Sequence, residues 1–98
     1  MKTIQLRRYV LMDGTYDDFV DWFNEWMPRV RSAAGFAIEF AYGLPETNEF
    51  VWAVSAPGDA DTFRELETAY LASPERAAAF ADQPERVASK AIALVDVV

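Results

Sequence analysis

The sequence predicts an α+β fold in which the elements run β-α-β-β-α-β and the strands form one four-stranded antiparallel sheet. Three observations carry this. Four stretches sort their side chains onto two faces at period two, from Ile4 to Met12, Phe36 to Tyr42, Glu49 to Ser55 and Val87 to Val97. Two stretches between them repeat apolar residues at spacings of three and four. Glycine or proline stands at most of the junctions.

In the first strand Ile4, Leu6, Val10 and Met12 share one face, with Arg8 interrupting it, while Gln5, Arg7, Tyr9 and Leu11 share the other. Asp13-Gly14 makes the turn, and Thr15 with Asp18 three residues later predicts a capping box. The first helix is expected from Tyr16 to Ala33. Tyr16, Phe19, Val20, Phe23, Met27 and Val30 form its core stripe, which Trp22 and Trp26 widen, one turn apart. Asp17, Asp18, Asp21 and Glu25 lie opposite. Pro28 removes a hydrogen bond to Asn24 and is expected to kink the helix, and Gly35 ends it.

In the second strand Phe36, Ile38, Phe40 and Tyr42 alternate with Ala37, Glu39 and Ala41. Gly43 to Asn48 reads as a hairpin loop. Phe50, Trp52 and Val54 then alternate with Val51, Ala53 and Ser55, and Pro57-Gly58 closes the third strand. Asp59 or Asp61 caps a second helix with Phe63, Leu66, Ala69 and Tyr70 inward. Ser73-Pro74 restarts a short helix that Gln83-Pro84 ends. The last strand is alanine-rich on one face, with Ile92 and Leu94 on the other. This order is the split βαβ pattern of ferredoxin-like folds, expected here as a single domain over residues 1–98. Helices cover only one face of such a sheet, yet both faces of the first three strands carry apolar groups. A second copy of the chain, packed on the bare face about a two-fold axis, is the simplest cover, giving a homodimer in the form of a dimeric α/β barrel.

Composition narrows the chemistry. The chain has no histidine and no cysteine, which closes off imidazole and thiolate metal sites and the Ser-His and Cys-His nucleophile systems. No cofactor motif is present, so no metal and no organic cofactor is expected. Acid–base work falls to Asp, Glu, Tyr, or an unusually placed Lys or Arg. The net charge of −7 argues against nucleic acid and against anionic membrane surfaces. With neither a signal-peptide pattern nor a membrane span at hand, and no disulfide framework, the cytoplasm is the expected compartment.

Aromatic residues make up 14% of the chain, more than one small core needs. The excess belongs in a ligand pocket or a subunit interface. Tyr9, Trp22, Trp26, Tyr42 and Trp52 are the candidates for binding a small apolar or aromatic ligand, and each is equally at home in a core or an interface. Arg7 and Arg8 point to opposite faces, so one of them meets apolar surroundings and needs a carboxylate or a ligand anion. Glu39 and Glu49, both in strands, are the partners at hand, and Glu39 is counted with the ligand-binding set.

Leu6-Arg7-Arg8-Tyr9, followed by Leu11-Met12-Asp13-Gly14-Thr15, resembles the opening of NIPSNAP-like domains, where a strand bearing an Arg and a Tyr turns into an aromatic-rich helix. Trp52, followed by a break and an acidic helix, is similar to the third strand and second helix of the same family. Asp13 stands where the family often has proline, and relatives that hold haem through a histidine are no guide to a chain without one. The resemblance implies a dimeric α/β barrel with a pocket. It also implies Arg7 and Tyr9, which share a face, as the catalytic pair. Proteins of this architecture include cofactor-free monooxygenases of aromatic polyketides, small isomerases and dehydratases, and proteins of no settled activity. Two readings therefore stand side by side. One is an enzyme in which Arg7 stabilises enolate or phenolate charge, Tyr9 or Tyr42 relays a proton and the tryptophans hold a ring. The other is a non-catalytic dimeric ligand-binding or interaction module.

Overall fold

β1 (Lys2–Leu11) lies inside the sheet because its two neighbours pair with it along nearly its whole length, as seen in a computed structural model that describes Met1–Val98. β1 pairs antiparallel with β3 (Glu49–Pro57) on one side and β4 (Val87–Val95) on the other. β2 (Ala37–Leu44) closes the far edge against β3, giving the order β2-β3-β1-β4. α1 (Tyr16–Ala33), α2 (Ala60–Leu71) and the short α3 (Pro74–Phe80) complete the predicted order.

Register decides which residues face the helices. Arg7 lies opposite Trp52, Tyr9 opposite Phe50, and Gln5 opposite Val54. Of these, Tyr9, Phe50, Trp52 and Val54, with Leu11, meet Phe19, Phe23, Met27, Phe63 and Tyr70 from the helices in one buried cluster. Edge-to-face ring pairs run through it, among them Tyr9–Phe19 at 6.1 Å and Phe23–Trp52 at 5.0 Å. Each such large side chain contributes about 2–3 kcal/mol on burial. Ile4, Leu6, Arg8 and Val10 point the other way, toward an open face. There Val10 is 42% exposed and Tyr42 63%.

Strict alternation fails in β2. The register shifts between Ile38 and Phe40, a β-bulge. Ile38 opposes Val54 on the helix side, but Phe40 opposes Ala53 and Tyr42 opposes Val51 on the open face. Phe36, Ile38, Phe40 and Tyr42 therefore do not share a face. Glu39 is held at the bulge by the Ser55 hydroxyl at 2.6 Å and by Lys2 Nζ at 3.0 Å, both on the open side. Gly43 sits where β2 passes the first turn of α1, and a Cβ there would overlap the Tyr16 hydroxyl.

One local expectation also changes. Thr15 makes no side-chain cap. Its Oγ1 donates instead to the Met12 carbonyl at 2.7 Å, and lies 3.2 Å from that of Arg86. Pro28 lies inside α1, which runs to Ala33 as expected. Asp59 caps α2 by accepting from Thr62 N at 2.9 Å, and Ser73 caps α3 by accepting from Arg76 N at 3.2 Å. Gly35, with φ of +94°, follows α1 in the left-handed conformation that such ends favour. No helix is long and apolar enough to cross a membrane.

Candidate functional site

A cavity of about 380 Å³ opens between the helix-side face of β1 and β3 and the three helices, with the segment Gln83–Val87 along its rim. Four of the sequence candidates meet in its wall: Arg7, Tyr9, Trp22 and Trp52. Three do not. Trp26 packs half-buried against the core with Arg29 over its ring at 4.9 Å. Tyr42 stacks on Phe40 at 5.1 Å, and Glu39 pairs with Lys2. These last two lie on the open face, behind the sheet: Glu39 by alternation from the inward Ile38, and Tyr42 because of the bulge.

Arg7 is the most connected side chain of the site. Its Nε donates to Gln5 Oε1 at 2.7 Å, Nη1 to the Tyr9 hydroxyl oxygen at 3.0 Å, and Nη2 to Glu67 Oε1 at 3.3 Å. The expected partners, Glu39 and Glu49, lie on the other face of the sheet, and Glu49 pairs loosely with Arg8 at 3.9 Å. A guanidinium carries five N–H groups and accepts nothing. Three of Arg7's are used, which leaves two uncommitted in a side chain that still reaches the cavity. Tyr9 accepts from Arg7, so its own O–H is free to donate, and it has no acceptor in the protein.

Glu67 bridges Arg7 to a second guanidinium. Arg31 Nη1 donates to Glu67 Oε2 at 2.8 Å, and the Arg31 side chain is only 3% exposed. It lies 4.0 Å from the Tyr70 ring centroid and 5.0 Å from that of Phe36, so aromatic faces solvate much of its charge. Arg31 Nε and Trp52 Nε1 are buried without an acceptor. Each costs roughly 1–3 kcal/mol of desolvation, a sign that this wall is not arranged for stability alone. The Tyr70 hydroxyl has only the Met27 sulfur, at 3.8 Å, as partner. Burial raises its pKa above 10.0, opposed by the charges of Arg31 and Arg76. Trp22 ties α1 to the end of α3 by donating to the Ala79 carbonyl at 2.8 Å, and its ring meets Phe80 edge-to-face at 4.9 Å.

Arg31 and Glu67 are missing from the residues singled out in the sequence, yet both leave a trace there. Phe19, Phe23, Met27 and Arg31 continue one ridge at steps of four, so an arginine occupies the next core position. Glu67 lies between Phe63 and Tyr70 on the inward face of α2. A charge on each of two apolar stripes is the pattern that marks the pair.

The sheet order, the helices on one side and the cavity between them define a ferredoxin-like domain with an arginine- and aromatic-lined pocket. The structure is similar to those of an uncharacterized NIPSNAP domain protein from Burkholderia xenovorans, at 12% identity and a TM-score of 0.83, covering 100% of this chain and 95% of that one. It is also similar to a NIPSNAP family protein from Agrobacterium tumefaciens, at 8% identity and a TM-score of 0.86, covering 100% and 94%. A protein from Bacteriodes thetaiotaomicron, provisionally assigned as an antibiotic biosynthesis monooxygenase, follows at 12% identity and a TM-score of 0.69, covering 99% and 88%. No family model and no curated protein matches the chain. The resemblance carried by Arg7, Tyr9 and Trp52 thus extends to the fold of the whole chain, which hosts more than one chemistry.

Proposed function

We propose that the chain is a homodimeric enzyme that acts, without metal or organic cofactor, on a small enolisable or phenolic aromatic compound of polyketide type. Monooxygenation, isomerisation and dehydration are the reactions this chemistry reaches, and a cysteine-free composition suits a cytoplasmic setting. One observation carries the reading: Arg7, with two uncommitted N–H groups, and Tyr9, with an undirected O–H, stand side by side in the wall of an aromatic cavity.

The chemistry follows from these groups. Ionisation of the substrate passes its acidic proton to solvent at the cavity mouth. Arg7 stabilises the oxyanion that develops, the strongest contribution open to a site without a metal. Tyr9 donates to the same oxygen and relays a proton back. Tyr42 has no part in this, since it lies behind the sheet. In an isomerisation the proton returns at another carbon. In a monooxygenation the carbanion reduces dioxygen at a methylene. One oxygen atom becomes the new carbonyl, and the other leaves as water with the two hydrogens lost from carbon. Trp22 and Trp52 supply the apolar walls for a flat ring.

An oxygen electrode and absorbance spectra with 1,8-dihydroxyanthrone, an enolisable aromatic ketone, test the reading. Wild type is expected to turn the compound over, and Arg7→Met to lose on the order of 100-fold or more in kcat/KM. Arg8→Met, altered on the opposite face, is expected to keep full activity. Equal activity of the two variants would remove Arg7 from the chemistry.

A further inference from the structure

We propose that the ligand of this cavity is an aromatic carboxylate, its ring held by the tryptophan and phenylalanine walls and its anion by unpaired cations of the rim. The inference rests on the small-molecule reading of the cavity given above and adds the charge of the compound. Five of the chain's nine Lys and Arg residues line the cavity, against two carboxylates. The cavity wall is therefore three charges positive, while the rest of a chain of net charge −7 carries −10.

The pairing of these cations separates a ligand site from a solvated surface. Away from the cavity Lys2, Arg8 and Arg64 each have a carboxylate within 4.0 Å, and only Arg29, which lies over the Trp26 ring, has none. Of the cavity cations, Arg7 and Arg31 share the single carboxylate Glu67. Arg76, Arg86 and Lys90 have none. Arg76 lies 4.2 Å from the Phe80 ring centroid, Lys90 lies 5.8 Å from that of Tyr9, and Arg86 donates to Gln83 Oε1 at 3.0 Å. The second cavity carboxylate, Glu85, is occupied in accepting from Val87 N at 3.0 Å. In a chain with sixteen acidic residues four cations thus have no acid, and three of the four, Arg76, Arg86 and Lys90, stand at the aromatic cavity.

A low-dielectric aromatic wall strengthens the attraction of these charges for an anion. A guanidinium also matches a carboxylate with two parallel N–H donors. Cations held against rings and convergent on an apolar slot select a compound with both features, a flat ring and a carboxylate. A cavity of about 380 Å³ accommodates one or two fused rings.

The test uses 1-hydroxy-2-naphthoate and its primary amide, of nearly equal shape, titrated against the whole chain by calorimetry with tryptophan fluorescence as a second readout. The carboxylate is expected to bind about ten-fold or more tightly than the amide, with an affinity that falls as sodium chloride is raised. Arg76→Gln and Lys90→Gln are each expected to weaken the carboxylate severalfold while leaving the amide and the melting temperature unchanged. Arg29→Gln, which alters a cation outside the cavity wall, is expected to change neither. Equal affinity for the two compounds, or a carboxylate affinity indifferent to both rim variants, would overturn the proposal and leave the small-molecule site standing. Failure of both compounds to bind would overturn the two readings together.

Discussion

The two faces of the sheet use neighbouring residues of β1 in opposite ways. On the helix side the Arg7 side chain is 12% exposed, holds three hydrogen bonds and shares a carboxylate with a second guanidinium. On the open side the Arg8 side chain is 64% exposed and reaches a single carboxylate at 3.9 Å. Around Arg7 the polar groups form a connected set within aromatic walls. Around Arg8 the neighbours are aliphatic and small, with Ala53, Ala91 and Ala93 opposite the open-face residues of β1. The difference teaches that the helix-side face is organised for polar recognition in a low-dielectric setting. The open face offers area to a flat partner and little directional chemistry.

The largest expected effect is on assembly. We propose that the open face is the dimer interface, because Val10, Tyr42, Leu44 and Val95 are each at least 37% exposed on one side of one sheet. Light scattering at micromolar concentration is expected to give about twice the 11.1 kDa chain mass. Leu6→Lys, a charge in the middle of that face, is expected to reduce it to the single-chain mass or to unfold the protein. A well-folded wild-type monomer would break the comparison, since the open face would then be ordinary surface.

A second experiment contrasts the carboxylates of the two faces. Glu67→Ala leaves Arg7 and Arg31 facing each other without a counter-charge, and is expected to cost about 3 kcal/mol, a fall in Tm on the order of 15 °C. Glu49→Ala removes a loose, solvated pair and is expected to cost about 0.5 kcal/mol or less. Thermal melts of the two variants, side by side, decide the matter. Similar losses would mean that the helix-side network is no more than a surface ion pair.

What could be read in advance follows the same division. The element order, the extent of α1 and the opposition of Arg7 to Arg8 all rest on local periodicity and turn residues, and the structure agrees with them. So do the inward positions of Phe63 and Tyr70. The Arg7–Glu67–Arg31 bridge joins β1, α1 and α2, whose mutual placement no local pattern contains. Arg31 and Glu67 were visible only as charges standing on apolar stripes. Arg76, Arg86 and Lys90 had no such trace, for the topology alone brings them to one rim. The bulge at Glu39 was hidden because the run from Phe36 to Tyr42 alternates without a break. A single extra residue at Glu39, which Ser55 and Lys2 hold on the open side, moved Phe40 and Tyr42 to the open face.

The smallest expected effects lie at the pH extremes, where each face responds at its own end. Tyr70, on the helix side, has a folded pKa raised mainly by burial. Its stabilisation is therefore whole below the unfolded value of about 10 and is lost as pH rises from there through the folded value. Glu39, on the open face, has a folded pKa lowered first by the Ser55 hydroxyl and then by Lys2. Its contribution is whole above the ordinary value of 4.5 and is lost as pH falls through the lower folded one. Asp59 is lowered by Thr62 and titrates in the same acid window, so the comparison must be made on variants. Tyr70→Phe is expected to flatten the alkaline limb of a Tm–pH curve and leave the acid limb alone, while Glu39→Gln does the reverse by a smaller amount, as befits a solvated carboxylate. If either variant altered both limbs, the two faces would be coupled through β1 and β3, and the division between a recognising face and an assembling face would fail.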